Sequence, residues 1–130
     1  KEAKEYNKQF FVDASLIGAY SSLLSNERNK IPQQALSKCI LWEAKYSDIK
    51  KLFEKFHDFE KLGRKIAEYY FLEKERKELE MALLNATERY VLFKKSFPNL
   101  EQKIPQYHIA SYLGITATQL SRLRNKLLKE

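Results

Sequence analysis

The stretch that most constrains this chain is IPQYHIASYLGITATQLSRLRNKLL, residues 104 to 128, because one glycine divides two short apolar periodicities. Ile109, Ala110 and Leu113 recur at helical spacing after Pro105, a residue suited to a helix start, so a helix is predicted from about Gln106 to Leu113. Gly114 ends it, since glycine takes the left-handed conformation that a sharp chain reversal needs, and Ile115 can tuck beneath the turn. Thr116 then opens a second helix, its hydroxyl facing the amide three residues on while Gln119 reaches back, the T-x-x-Q form of the capping box.

At about 100° per residue, Leu120, Leu123 and Leu127 point to one side of the second helix, and Thr118, Ser121, Arg122, Asn125 and Lys129 to the other, with Arg124 and Lys126 on the flanks. Short polar side chains near the N-terminus and basic ones a turn later suit a helix laid in a DNA major groove, where the former meet base edges and the latter meet phosphates. The spacing alone is shared with ordinary amphipathic helical hairpins. The small Ala110 facing the turn, the Gly114 corner and the Thr116 cap favour the DNA-reading form.

Charge follows the same division. Residues 85 to 130 carry 8 Lys/Arg against 3 Asp/Glu, whereas residues 46 to 84 carry 9 of each and residues 1 to 45 carry 7 against 5. Five of the seven net positive charges therefore sit with the hairpin, the distribution that counterion-release binding to nucleic acid requires.

The first forty-five residues are the least regular. Tyr6 to Val12 mixes aromatic and polar residues, Gln34 to Ala44 holds a short apolar run around Ile40, Leu41 and Trp42, and both read as strand-like, with a polar loop over residues 25 to 32 between them. A short helix is predicted from Tyr46 to about His57. A long one follows from Phe59 to about Leu84, rich in Glu, Lys and Leu and free of proline. Its apolar positions Leu62, Ile66, Tyr69, Leu72, Leu79, Leu83 and Ala86 average just under 3.5 residues per turn, the period of a left-handed coiled-coil seam. The competing reading is a helix packed against its own domain. Gly63 would cost about 1 kcal/mol relative to alanine in an exposed helix, a cost consistent with a close backbone approach. A further helix is predicted from Asn85 or Thr87 until Pro98 stops it.

Enzymes fare badly. With only Gly18, Gly63 and Gly114, no glycine-rich phosphate loop exists, and His57 and His108 stand far apart, each read as a surface or helix-end residue. Cys39 is the only cysteine, so no internal disulfide or cysteine-rich metal site forms within one chain. No apolar run approaches the roughly 20 residues needed to span a bilayer, and KEAKEYNKQF lacks the apolar segment of a signal peptide, so a cytoplasmic location without membrane association is expected.

The order of parts resembles the C-terminal two-thirds of the cyclic-AMP receptor (Crp/Fnr) superfamily of bacterial transcription regulators. Residues 86 to 128 carry the resemblance most strongly, notably Tyr90 in the ERY segment and IASYLGIT at Ile109 to Thr116. DIKKLFEKFHDFEKLGRKIAEYY is similar to the family's short helix and dimer helix, and Phe10 to Ala44 more weakly to the second half of its β-roll effector domain. The resemblance implies a mostly α, α+β fold. It would contain a partial β-roll over residues 1–45, a short helix and dimerisation helix over 46–84, and a helix-turn-helix domain over 85–130, with the chain beginning inside the roll. It implies a homodimeric regulator bound to double-stranded DNA, with RNA polymerase as a further candidate partner. Two other readings stay open, a coiled-coil interaction module docking on a protein and a regulator that still binds a cyclic nucleotide or other small effector.

Aligned on Gly18, the family's effector cassette falls on Ala19 at its acidic position, with Asn29 and Lys30 at its Arg-Ser pair. Arg28 or Lys30 supplies positive charge without the bidentate geometry, so no cofactor and no ordinary cyclic-AMP binding are expected. On the second hairpin helix the resemblance places base contacts at Ala117, Thr118 and Arg122, where the best-known members have Arg, Glu and Arg. Arg122 suits a guanine, Thr118 a thymine methyl or a hydrogen bond, and Ala117 an apolar contact. Thr116, Gln119, Ser121, Arg124 and Lys126 would be phosphate or groove-edge contacts.

Overall fold

The computed structural model describes residues 6–128, so Lys129, expected on the polar face of the last helix, lies outside the described residues. Six α-helices are present among the described residues: α1 (Tyr20–Ser25), α2 (Tyr46–Lys55), α3 (His57–Leu83), α4 (Ala86–Ser96), α5 (Gln106–Leu113) and α6 (Ala117–Leu127), with a 3-10 turn at Leu100–Gln102. No residue among them is in a strand.

The expected α+β class and its partial β-roll over residues 1–45 are thereby corrected. The fold is all-helical, and the part of that segment described here consists of α1 and extended or irregular chain. Aromatic and β-branched residues favour strands only where a neighbouring strand satisfies their backbone groups. The apolar side chains of this segment instead either pack on helices or stay exposed. The cassette positions follow suit. Ala19 precedes α1, the Asn29 side chain bonds both the N–H (3.0 Å) and the carbonyl (2.6 Å) of Ile31, and Lys30 stands 3.9 Å from Glu27 on the surface.

The chain divides into two compact units, one of residues up to Leu16 together with those from Glu78 onward, the other Ile17–Lys77. The first contains every buried residue among those described. Phe93, Ile109, Leu113 and Leu120 form its fully buried centre. Asn85 caps α4, accepting from Thr87 and Glu88 N–H groups while the Glu88 carboxylate takes the Asn85 N–H at 2.8 Å.

This core is closed from the far end of the sequence. The Phe10 ring lies among Phe93, Phe97 and Tyr112, with centroids 6.2, 5.8 and 5.0 Å away. Asn7 fastens the same strap. Its N–H donates to Ser111 Oγ at 2.9 Å, and its side-chain amide reaches the His108 carbonyl (3.1 Å) and Nδ1 (3.0 Å). His108, expected at a surface or helix end, is buried beneath this contact.

In the second unit, Phe53 of α2 lies against α3 at Gly63, where an added Cβ would come within 2.7 Å of the ring. Phe56 breaks the helix between α2 and α3 with an extended backbone (φ −131°, ψ 111°). No described residue of this unit is buried, and Trp42 is 96% exposed. Along α3, Leu62, Tyr69 and Leu72 are exposed and Ile66 is half-buried. The stripe continues in the first unit with Leu79 and Leu83, 57% and 76% exposed.

Removing a buried phenylalanine side chain typically costs about 3–5 kcal/mol and removing one partner of a part-buried hydrogen bond about 1 kcal/mol. Phe10→Ala is therefore expected to destabilise the first unit by about 3 kcal/mol and Asn7→Ala by about 1 kcal/mol, measured by urea unfolding. An unchanged midpoint in Phe10→Ala would show that the strap is no part of the core.

Candidate nucleic-acid interface

The corner between α5 and α6 is built from local backbone chemistry. Gly114 takes φ 70° and ψ 28°, its N–H donates to the Ser111 carbonyl at 3.2 Å, and the Ile115 N–H donates to the Ala110 carbonyl at 3.0 Å. These two bonds form a Schellman motif, which satisfies carbonyls left orphaned at a helix end. A side chain at Gly114 would be strained by its φ and would also meet Met81 Cε at 2.7 Å, so the corner sits tightly against the last turn of α3.

Three residues later the chain enters α6 through a complete capping box. The Gln119 N–H donates to Thr116 Oγ1 at 3.1 Å and the Thr116 N–H to Gln119 Oε1 at 2.9 Å. Leu120 is fully buried while Leu123 and Leu127 are half-buried, which fixes the rotation of α6 about its axis. Ala117, Thr118, Ser121, Arg122, Asn125 and Lys126 are all exposed, and Gln119 and Thr116 are exposed beside the cap. The outward surface therefore carries short polar groups at its amino end and the cations Arg122 and Lys126 further along.

Arg124 differs from the other expected contacts. Its Nε lies 3.0 Å from Glu101 Oε1, and the same oxygen accepts the Tyr90 hydroxyl at 2.5 Å. Tyr90, buried in α4, is thus linked through Glu101 to α6, so Arg124 braces the helix from the side, whereas Arg122 is exposed. Burial, then the hydrogen bond and negative charge of Glu101, push the Tyr90 phenol up to about 12.

Arg89 is a second residue whose role the sequence reading did not identify. Its Nε donates to the Leu113 carbonyl at 3.1 Å and its Nη1 to the Leu84 carbonyl at 2.5 Å, so one guanidinium joins the chain at the ends of α3 and α5. Helix C-termini carry partial negative charge and unpaired carbonyls, and a planar multidentate cation suits two of them at once. A signal was available, because a cation in the first turns of α4 stands at the unfavourable end of its own helix dipole. Asn7, Phe10 and Glu101 gave no such signal, since their partners are distant in the sequence.

Among the described residues no group of three or more His, Cys, Asp or Glu is placed to hold a metal ion, and no helix is long and apolar enough to cross a membrane. No family model, curated protein or solved structure matches this chain.

Because the folded state raises the Tyr90 phenol above its ordinary value of 10, its contribution to stability is fully present below pH 10 and is lost as pH rises through about 12. Denaturation profiles of the native chain and Tyr90→Phe are expected to differ by a constant amount up to pH 10 and to converge above it. A difference that stays level to pH 12 would exclude the Tyr90–Glu101 bond as its cause.

Proposed function

We propose that this chain is a dimeric, sequence-specific DNA-binding transcription regulator that acts in the cytoplasm and whose reading head is of the Crp/Fnr type. The observation that carries the reading is the outward face of α6, where Ala117, Thr118, Ser121 and Arg122 stand exposed on a helix held by a capping box, a Schellman turn and the buried Leu120. The positive excess of residues 85 to 130 supports attraction to a polyanion, and the resemblance of residues 86 to 128 supports the family. The proposal includes no effector pocket, because the described part of the segment that would carry one contains no strand.

Arg122 reads a guanine edge through two parallel hydrogen bonds, and Thr118 meets a neighbouring base. Lys126, with the free donors of Thr116, Gln119 and Ser121, holds phosphates. Arg124 contributes through its ion pair with Glu101, which sets α6 in place.

Dimerisation is supported by the exposed stripe Leu62, Tyr69, Leu72, Leu79 and Leu83. A helix whose leucines recur at coiled-coil spacing and stay exposed among the described residues gains by pairing with a second copy. Two reading heads related by a twofold axis then double the contacts to a palindromic site. The exposed Ile40, Leu41 and Trp42 favour a protein partner as a second reading for the Ile17–Lys77 unit, alongside DNA binding by α6.

Selection of bound sequences from a random DNA pool tests the proposal directly, with a palindrome expected. Arg122→Ala is expected to relax preference at one base pair of each half-site, a loss of about 1–3 kcal/mol in discrimination. Lys126→Ala should weaken all sequences alike and reduce the slope of log affinity against log salt by about 1 per protomer. Recovery of no enriched sequence would sink the proposal, and identical behaviour of the two variants would overturn the division of roles.

A further inference from the structure

We infer that Arg89 is the positioning residue that locks the reading head to the last turn of the long helix and thereby sets the half-site spacing that the dimer accepts. The inference rests on the proposed DNA-reading role of α6.

Leu79 and Leu83, the end of the exposed stripe, lie on the last turn of α3, in the same compact unit as α5 and α6. The contacts that join that turn to the corner before the reading helix include two of different kinds. One is the contact of Met81 with Gly114, a flexible thioether against a backbone, which fills space and leaves orientation open. The other is the Arg89 guanidinium, which bonds Leu84 just beyond α3 and Leu113 at the end of α5. Because the guanidinium is rigid and planar, bonding both carbonyls fixes the direction of one chain end relative to the other, which a single contact does not.

The Leu113 carbonyl immediately precedes the Gly114 corner, and the capped α6 begins three residues after that corner. Holding it therefore holds the start of α6. When two copies pair along Leu79 and Leu83, the separation of their reading helices is transmitted through this clamp. Binding to two half-sites is sensitive to such separation, because one base pair added between them turns one site about its axis relative to the other.

The test uses the full chain in a Cys39→Ser background with spin labels at Glu78→Cys and Asn125→Cys, both in the first unit, together with palindromes whose half-site spacing is varied one base pair at a time. The chain with Arg89 is expected to give a narrow label-to-label distance distribution and a preference of at least about tenfold for one spacing, about 1.4 kcal/mol. Arg89→Met, and Arg89→Lys, which keeps the charge but reaches one carbonyl at a time, should broaden the distribution at least twofold and flatten the spacing preference. Affinity for an isolated half-site should fall only slightly.

Unchanged widths in a variant that keeps its helical circular dichroism would overturn the clamp, as would an unchanged spacing preference despite broadening. Loss of folding in both variants would overturn it too, making Arg89 a general core residue. Broadening in a chain that selects no DNA sequence at all would retain the clamp, remove its link to spacing and refute the DNA-reading function instead.

Discussion

A domain of about 60 residues buries only about 60% of the surface that its unfolded chain exposes, and the segment from α4 to α6 is smaller still. Its core depends on one side chain brought from elsewhere. Phe10 enters edge-on between Phe93 and Phe97 and lies tilted against Tyr112, completing an aromatic cluster that the three helices leave open. Asn7 supplies the polar half of the same attachment, its side-chain amide reaching the His108 carbonyl and giving the buried ring Nδ1 a partner. With the cluster closed, α5 has a fixed seat, and the corner and α6 built on it inherit that rigidity.

Electrostatics complete what packing begins. Two arginines in this unit are consumed in holding helices together: Arg89 across the ends of α3 and α5, and Arg124 against Glu101 and thence Tyr90. Arg122 and Lys126 remain exposed on the outward side of α6. The positive charge of this unit is therefore not all available at its surface, since Arg89 and Arg124 bond groups of the chain itself.

The Ile17–Lys77 unit presents the opposite balance. Phe53 on Gly63 and the edge-on contact of Tyr20 with Tyr46 give it local cohesion, yet none of its described residues is buried, and Leu62, Tyr69, Leu72 and Trp42 face outward. Apolar surface on that scale is stabilised by association. The near-3.5 periodicity along α3 suits a second copy of the same helix.

What the sequence determined alone was the structure made by neighbours along the chain. The α5 and α6 helices, the left-handed Gly114, the Thr116–Gln119 capping box and the α4 start at Asn85 all follow from propensities and bonds spanning a few residues or from backbone sterics. The outward face of α6 was legible for the same reason, because helical periodicity divides polar from apolar positions. Tertiary structure decided everything that depended on a distant partner. Tyr6 to Val12 has strand-like composition, but with no neighbouring strand to pair its backbone it became a strap seated by Phe10 over a hundred residues away from Tyr112 in sequence. Arg124 and Arg122 were alike as letters, and the place of Arg89 near the start of α4 hinted at a role without naming its partners. Glu101 and two helix-end carbonyls, brought near by folding, separated the two that brace α6 and the corner before it from the one left exposed.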